Sequence, residues 1–289
     1  MHIYNTKAAQ NSNSTMFTLV DLSICLKAVS KVVFILSCGL LPSASAPMTS
    51  SDAQSFEYAY GAITRGNKAN KQIALVFTGD EYADGAQTIS NVLKSHNVPG
   101  SFFLTGRFYR NPKFQPGIKS LIADGHYLGA HSDEHLLYCD WVNRDSLLIT
   151  KQEFIQDIEK NYDELDRLGI TKHNASYFLP PYEWYNDSIS AWTNELGLTL
   201  INFTHGTLSH ADYTTPSMTN YRSSEVIYSS IMTYEQSKAS GLNGFILLSH
   251  IGTAPERIDK FYPSLDNLIR ELQKKGYVFL RIDELLKRE

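Results

Sequence analysis

Two histidines four residues apart, His131 and His135, stand in the stretch Leu128-Gly-Ala-His131-Ser-Asp-Glu-His135, which opens directly from an apolar run. Residues at that spacing share a face on a helical turn. Neutral imidazole is a common ligand of zinc and similar ions. A chain with nine histidines produces such pairs by chance, so the pair draws its meaning from the polar residues that follow the other apolar runs. These are Thr78-Gly79-Asp80-Glu81, Thr105-Gly106, Pro180-Pro181-Tyr182-Glu183-Trp184, Thr204-His205-Gly206 with Asp212 beyond it, and Ser249-His250.

The elements that must position these residues are legible from about residue 70 onward. Short apolar runs of the buried-parallel-strand kind occur at Gln72–Phe77, Ser101–Leu104, Tyr127–Ala130, Ser176–Leu179, Leu198–Phe203, Phe245–Leu248 and Tyr277–Ile282. Helices lie between them. Thr150 and Glu153 form a capping box ahead of Phe154, Ile158 and Leu165, and Gly169 ends that run. Asn186 caps a second helix, Pro263 starts a third, and Gln87 to His96 gives a fourth. Seven strands alternating with helices predict one α/β domain over residues 70–289. An open doubly wound sheet is one arrangement. A barrel is favoured, because the polar residues above all follow strands, and function in parallel barrels collects at the C-terminal strand ends.

Composition narrows the class. The 289 residues carry a net charge of −4 and are 43% hydrophobic, enough for one sizeable core and without the basic surface of a nucleic-acid binder. Aromatics reach 12%, with 17 tyrosines, which suits carbohydrate contact as well as ordinary core. Residues 1–46 read as a leader: Lys27 and Lys31, the run Val32–Leu36, then Ala44-Ser-Ala46. Cleavage after Ala46 is one reading. The other is a lipoprotein box, Ile35-Leu-Ser-Cys38, with Cys38 lipidated and serving as a membrane anchor. The polar lead suggests a start at Met16. Residues 47–69 read as a tether and leading segment. Either leader predicts an extracytoplasmic protein: periplasmic, membrane-anchored or secreted. Cys25 and Cys38 fall in the leader, so Cys139 is alone in the domain and no disulfide framework is expected.

Taken together, these motifs resemble the polysaccharide deacetylase family, the family four carbohydrate esterases with the chitooligosaccharide-deacetylase homology domain, over roughly residues 70–286. His131-Ser132-x-x-His135 matches the family's His-(Ser/Thr)-x-x-His pair. Pro180-Pro181-Tyr182, Leu248-Ser249-His250 and Phe102-Phe103-Leu104-Thr105-Gly106 also match in chain order. The resemblance implies a distorted (β/α)7 barrel and a divalent metal, zinc foremost with cobalt or nickel as alternatives, held by Asp80, His131 and His135. It implies that His250 is the general acid. An acetylated polysaccharide is the implied substrate and partner, losing acetyl groups by hydrolysis of an amide or an ester. Tyr182, Trp184, His205 and Asp212 are the implied substrate contacts.

Two departures from the family pattern bear on catalysis. Where the family has Thr-Phe-Asp-Asp, this chain has Val76-Phe77-Thr78-Gly79-Asp80-Glu81, so Thr78 or Gly79 occupies the place of the catalytic base. The family's arginine ahead of Pro-Pro is Leu179 here. Glu81, Asp84 and Glu183 are the candidate replacement bases. The departures also leave open a glycan-binding relative without catalysis, or a hydrolase of a different amide bond on the same barrel.

Overall fold

In the computed structural model, which describes residues 56–288, the apolar runs become strands that share one sheet. The leader and the first part of the tether lie outside the described residues. The sheet opens with a hairpin, β1 (Glu57–Ala59) and β2 (Ala62–Arg65). The remaining strands are β3 (Gln72–Gly79), β4 (Ser101–Leu104), β5 (Tyr127–Ala130), β6 (Tyr177–Phe178), β7 (Thr199–Leu200), β8 (Phe245–His250) and β9 (Val278–Phe279). Their spatial order is β1-β2-β8-β3-β4-β5-β6-β7, with β9 beside the start of β3. From β8 through β7 all pairings are parallel, and only the hairpin runs against them.

The hairpin belongs to the segment read as a tether and leading segment, and sequence patterning did not reveal it. Its two-residue loop is Tyr60-Gly61, both at positive φ (46° and 78°), the geometry of a type I′ turn. Asn-Gly or Asp-Gly would have announced such a turn; a tyrosine at the first position does not. Arg65 pins the hairpin to the rest of the sheet, donating from Nε to the Asn243 carbonyl and from Nη2 to the Gly241 carbonyl, both at 2.8 Å.

The sheet curls until its ends meet. Past β7, the Asn202 N–H donates to the Ile63 carbonyl at 2.9 Å and the Thr204 N–H to the Ile246 carbonyl at 3.0 Å. A parallel bridge between Ile63 and Ile201 lies at the same seam, so the sheet forms the distorted barrel that the sequence leads one to expect. At the other pole, Arg288 Nη2 donates to the Tyr58 hydroxyl at 3.1 Å.

The helices pack outside. They are α1 (Ala86–His96), α2 (Gly106–Tyr109), α3 (Gln115–Ala123), α4 (Lys151–Arg167), α5 (Asp187–Glu195), α6 (Ser224–Ser237), α7 (Leu265–Lys274) and α8 (Ile282–Leu285). The capping box of Thr150 and Glu153 is made, and the Asn186 side chain accepts from the Ile189 N–H at 3.1 Å. Pro263 lies in a short 3-10 turn, Tyr262–Ser264, that leads into α7. Strand alternation sorts β3. A Cβ on Gly79 would meet Ile251 and Leu104 side chains within 2.8 Å, so this position faces the packed outer layer. Thr78, in register with His250, takes the opposite face, inside the barrel.

Candidate active site

The loop after β5 carries both histidines, and buried polar groups on α4 fix its shape. Asn161 accepts from the His131 N–H at 2.9 Å through Oδ1. One turn earlier, Asp157 accepts from the Asp133 and Glu134 N–H groups at 3.0 and 2.9 Å and from the Tyr138 hydroxyl at 2.7 Å. Residues 157 and 161 are four apart and so share a helix face. From the other side, α2 reaches the same loop: the Gly106 N–H donates to the Ser132 carbonyl and Arg110 pairs with Asp133. Ser132 and His135 hold positive φ of 70° and 54°, a conformation non-glycine residues adopt only when the surroundings impose it.

Within this frame the His131 ring is fixed through one of its two nitrogens. It is buried, and its Nδ1 donates to the Leu179 carbonyl at 2.7 Å, which leaves the Nε2 lone pair available. Burial, with His135 beside it, pushes its pKa well below the ordinary value. Burial likewise lowers His135 to about 4, against the pull of Asp80 and helped by Arg107. The two rings lie 5.0 Å apart, and both are neutral at pH 7.

Asp80 sits at the mouth with its carboxylate in the fork of Arg107: Nε to Oδ1 at 3.1 Å and Nη2 to Oδ2 at 2.5 Å. The Thr105 hydroxyl donates to Oδ1 at 2.9 Å. Arg107 comes from α2. Among the described residues, no three His, Cys, Asp or Glu side chains lie close enough together to cage an ion as they stand. The donor set nonetheless has the chemistry of a divalent-ion site. It combines two neutral imidazoles with a carboxylate that has accepted three of its roughly four possible hydrogen bonds.

His250, at the end of β8, faces inward. Its Nδ1 is 2.6 Å from Asp212 Oδ1, and its N–H donates to Asp212 Oδ2 at 2.8 Å. Burial disfavours the imidazolium, but Asp212 and then Glu183 outweigh it and raise the pKa above the ordinary value. Asp212, expected among the substrate contacts, is 1% exposed with both oxygens on His250; it orients the imidazole instead of lining the sugar site.

Glu183 stands beside this dyad. Burial pushes its carboxyl up to about 7, Asp212 pushes the same way, and His250 opposes them. Tyr182 and Glu183 both hold positive φ, 59° and 53°. Four of the six non-glycine residues at positive φ among the described residues therefore belong to the two site loops. The other candidate bases are placed differently. Glu81 is exposed on the rim. Asp84 is committed to structure, holding the Thr253 N–H at 2.8 Å, Lys260 at 2.8 Å and the Tyr262 hydroxyl. Of Thr78 and Gly79, the two residues expected at the place of the family's base, Thr78 has its hydroxyl buried without a hydrogen-bond partner.

Aromatic rings extend the mouth. Tyr182 is exposed and packs against His135 with centroids 4.4 Å apart. Trp184 is half-buried and its Nε1 donates to the Asp140 carbonyl at 3.2 Å. His205 is exposed against Phe203. Sequence patterning missed Arg107, Trp141 and His210. His210 stacks on Phe203 at 4.5 Å and is held down to about 4 by burial and His250. The signal for Asp157 and Asn161 was available: both are polar residues on the face of α4 defined by Phe154, Ile158 and Leu165. Cys139 is buried and burial raises its thiol to about 11, so it is inert.

Comparison with known proteins agrees with this geometry. The family profile described as Polysaccharide deacetylase matches residues 65–201. The peptidoglycan-N-acetylmuramic acid deacetylase PdaA of Bacillus subtilis is 25% identical over 228 residues, 78% of this chain and 76% of its own. The solved structure of the peptidoglycan N-acetylglucosamine deacetylase Bc1960 superposes with a TM-score of 0.63 at 20% identity, covering 80% of this chain and 94% of that one. BA3943 of Bacillus anthracis, described as a pseudoenzyme of the same family, superposes at 0.60 with 20% identity, covering 80% and 70%. The profile match and the shared barrel thus make the polysaccharide deacetylases the proteins that this chain resembles in sequence and fold.

Proposed function

We propose that this protein is a metal-dependent hydrolase that removes acetyl groups from an N- or O-acetylated polysaccharide outside the cytoplasm, with bacterial cell-wall glycan as the first candidate. One observation carries the reading. A pair of neutral imidazoles shares the barrel mouth with a carboxyl that burial raises to about 7 and an imidazole, held on Asp212, whose pKa is also moved upward. Groups that titrate near the working pH serve best as general acid and base.

His131, His135 and Asp80 would hold the divalent ion, zinc foremost and cobalt or nickel as alternatives, with Arg107 steadying the carboxylate. When bound, such an ion supplies Lewis-acid polarisation of the acetyl carbonyl. Glu183 takes the proton of the attacking water. His250 donates from Nε2 to the departing amine or alcohol, because Nδ1 is committed to Asp212. The acetyl C–N or C–O bond breaks, releasing acetate and a free amine or hydroxyl. Glu183 is preferred to Glu81 as base because it adjoins the dyad, and Tyr182, Trp184 and His205 line the approach for sugar. The rate should rise as Glu183 loses its proton near pH 7 and fall at higher pH as His250 loses its own.

Outside the domain, the leader supports export, with Cys38 as the point of lipid attachment. No helix among the described residues is long and apolar enough to cross a membrane.

A second reading, a glycan-binding relative without catalysis, is favoured by one observation: Thr78 and Gly79 stand where the family has its base. The deciding experiment is acetate release from chitooligosaccharides, peptidoglycan and acetyl-xylan, comparing chelator-stripped protein with protein given back zinc, cobalt or nickel. Metal-restored release, lost in His131→Ala, is expected. Retained metal without release from any substrate would favour the binding reading, and amidase activity without acetate release would favour a different bond.

A further inference from the structure

Arg144 lies outside the catalytic constellation, in the loop between β5 and α4, and its setting is unusual. Its guanidinium carbon stands over the Trp184 ring at 3.4 Å and over the Tyr60 ring at 4.2 Å from their centroids. The backbone carbonyl of Arg144 accepts from Asn186 Nδ2 at 3.0 Å, which fixes the loop at that point. The residue is half-buried. Among the described residues, no carboxylate or carbonyl accepts from its guanidinium. Stacking holds an arginine in one orientation while its N–H donors stay directed along the edge of the plane. A positioned fork of this kind, with no acceptor supplied by the protein, matches a carboxylate.

The rings around Arg144 connect it to the mouth. Trp184 directly follows Glu183. Trp141, 53% exposed, lies 5.5 Å from Trp184 and 5.6 Å from Tyr182, and Tyr182 packs on His135. The positive charge of Arg144 also reaches His205 and, after burial, is a cause of its lowered pKa. An unbroken path of aromatic surface therefore runs from the imidazole pair to a single cation. Exposed Trp and Tyr faces of this size accept the apolar face of a sugar ring, whereas a cation at the end of the path selects a charged one.

We propose that Trp141 and Arg144 form a subsite for a carboxylate-bearing sugar next to the acetylated residue, so that the glycan this protein prefers is acidic. The assignment rests on the glycan class of the proposed function but not on turnover. The carboxylate is a substituent of the sugar itself or belongs to a peptide attached to it, and the two sources offer the same chemistry to Arg144.

Binding is the readout. Calorimetry on the intact protein would compare three probes: neutral chitooligosaccharide, cell-wall glycan strands stripped of peptide, and the same strands with peptide attached. The acidic strands are expected to bind about tenfold more tightly than the neutral oligosaccharide. Arg144→Gln should erase that difference by weakening the acidic strands selectively, and Trp141→Ala should weaken all three probes. Arg144→Lys, which keeps the charge but loses the fork, should retain part of the preference and guards against misreading a folding defect. Preference for peptide-bearing strands alone would assign the carboxylate to the peptide. Equal loss of all probes in Arg144→Gln, or no loss of any, would overturn the proposal. An Arg144-dependent preference without acetate release would leave this subsite standing and fail the deacetylase reading, whereas acetate release with no preference would do the reverse.

Discussion

Glu183 carries a carboxyl that burial has raised from 4.5 to about 7, and that displacement has a consequence for stability as well as for chemistry. A folded-state pKa above the unfolded value means that ionisation costs the native state stability. The cost begins as pH passes the unfolded value of 4.5 and is complete above about 7. Glu183→Gln should therefore melt higher than wild type at pH 8, by the equivalent of up to ~3 kcal/mol, and melt identically at pH 4. Acetate release should be abolished in the same variant with metal retained. A variant that melts lower at pH 8 would mean the carboxylate is stabilised by a partner, and wild-type rates would move the base to Glu81. The residue types of the site were legible because each stands directly after an apolar run. Their partners were not. Asp80 with Arg107 and His250 with Asp212 are separated by 27 and 38 residues, and nothing in the local pattern says which carboxylate meets which cation once the strands are side by side.

At the scale of elements, α4 does more than cover the sheet. Asp157 satisfies three donors of the histidine loop and Asn161 a fourth, at 0 to 5% exposure. Asp157→Ala would strand the buried Asp133 N–H, the part-buried Glu134 N–H and the Tyr138 hydroxyl, a loss on the order of 3 kcal/mol in chemical denaturation. It should also weaken zinc binding about 10- to 100-fold with both imidazoles present, as expected when the groups that orient metal ligands are removed. Unchanged zinc affinity measured by calorimetry would mean the loop holds its shape without the helix. The helices with strong signals, α1, α4, α5 and α7, were readable from caps and apolar spacing. The chain from Ser224 to Ser237 was not: it mixes serines and β-branched residues, buries only Ser224, Ile227 and Ile231, and owes its helicity to packing more than to pattern.

For the whole molecule, the seal between β2 and the chain after β7 converts a curled sheet into a barrel. Ile63 lies at that seam, 3% exposed. Ile63→Ala should cost about 3 kcal/mol in urea denaturation, the usual price of a buried large-to-small change. A change under ~0.5 kcal/mol would mean the seam contributes nothing. The barrel itself was foreseeable from seven apolar runs with polar residues at their ends, because parallel strands bury both faces. The seam was not foreseeable, since two or three residues of strand leave no period to read.

The bond between Arg288 and Tyr58 brings the first strand and the last turn of the described fold within reach of each other. Covalent order along the chain is therefore separable from neighbour order around the barrel. A short linker joining these ends, with the chain reopened at the exposed Lys238-Ala239 step, would give a circular permutant in which every strand keeps its neighbours. The imidazole pair, the dyad and the stacked arginine would all be carried over intact.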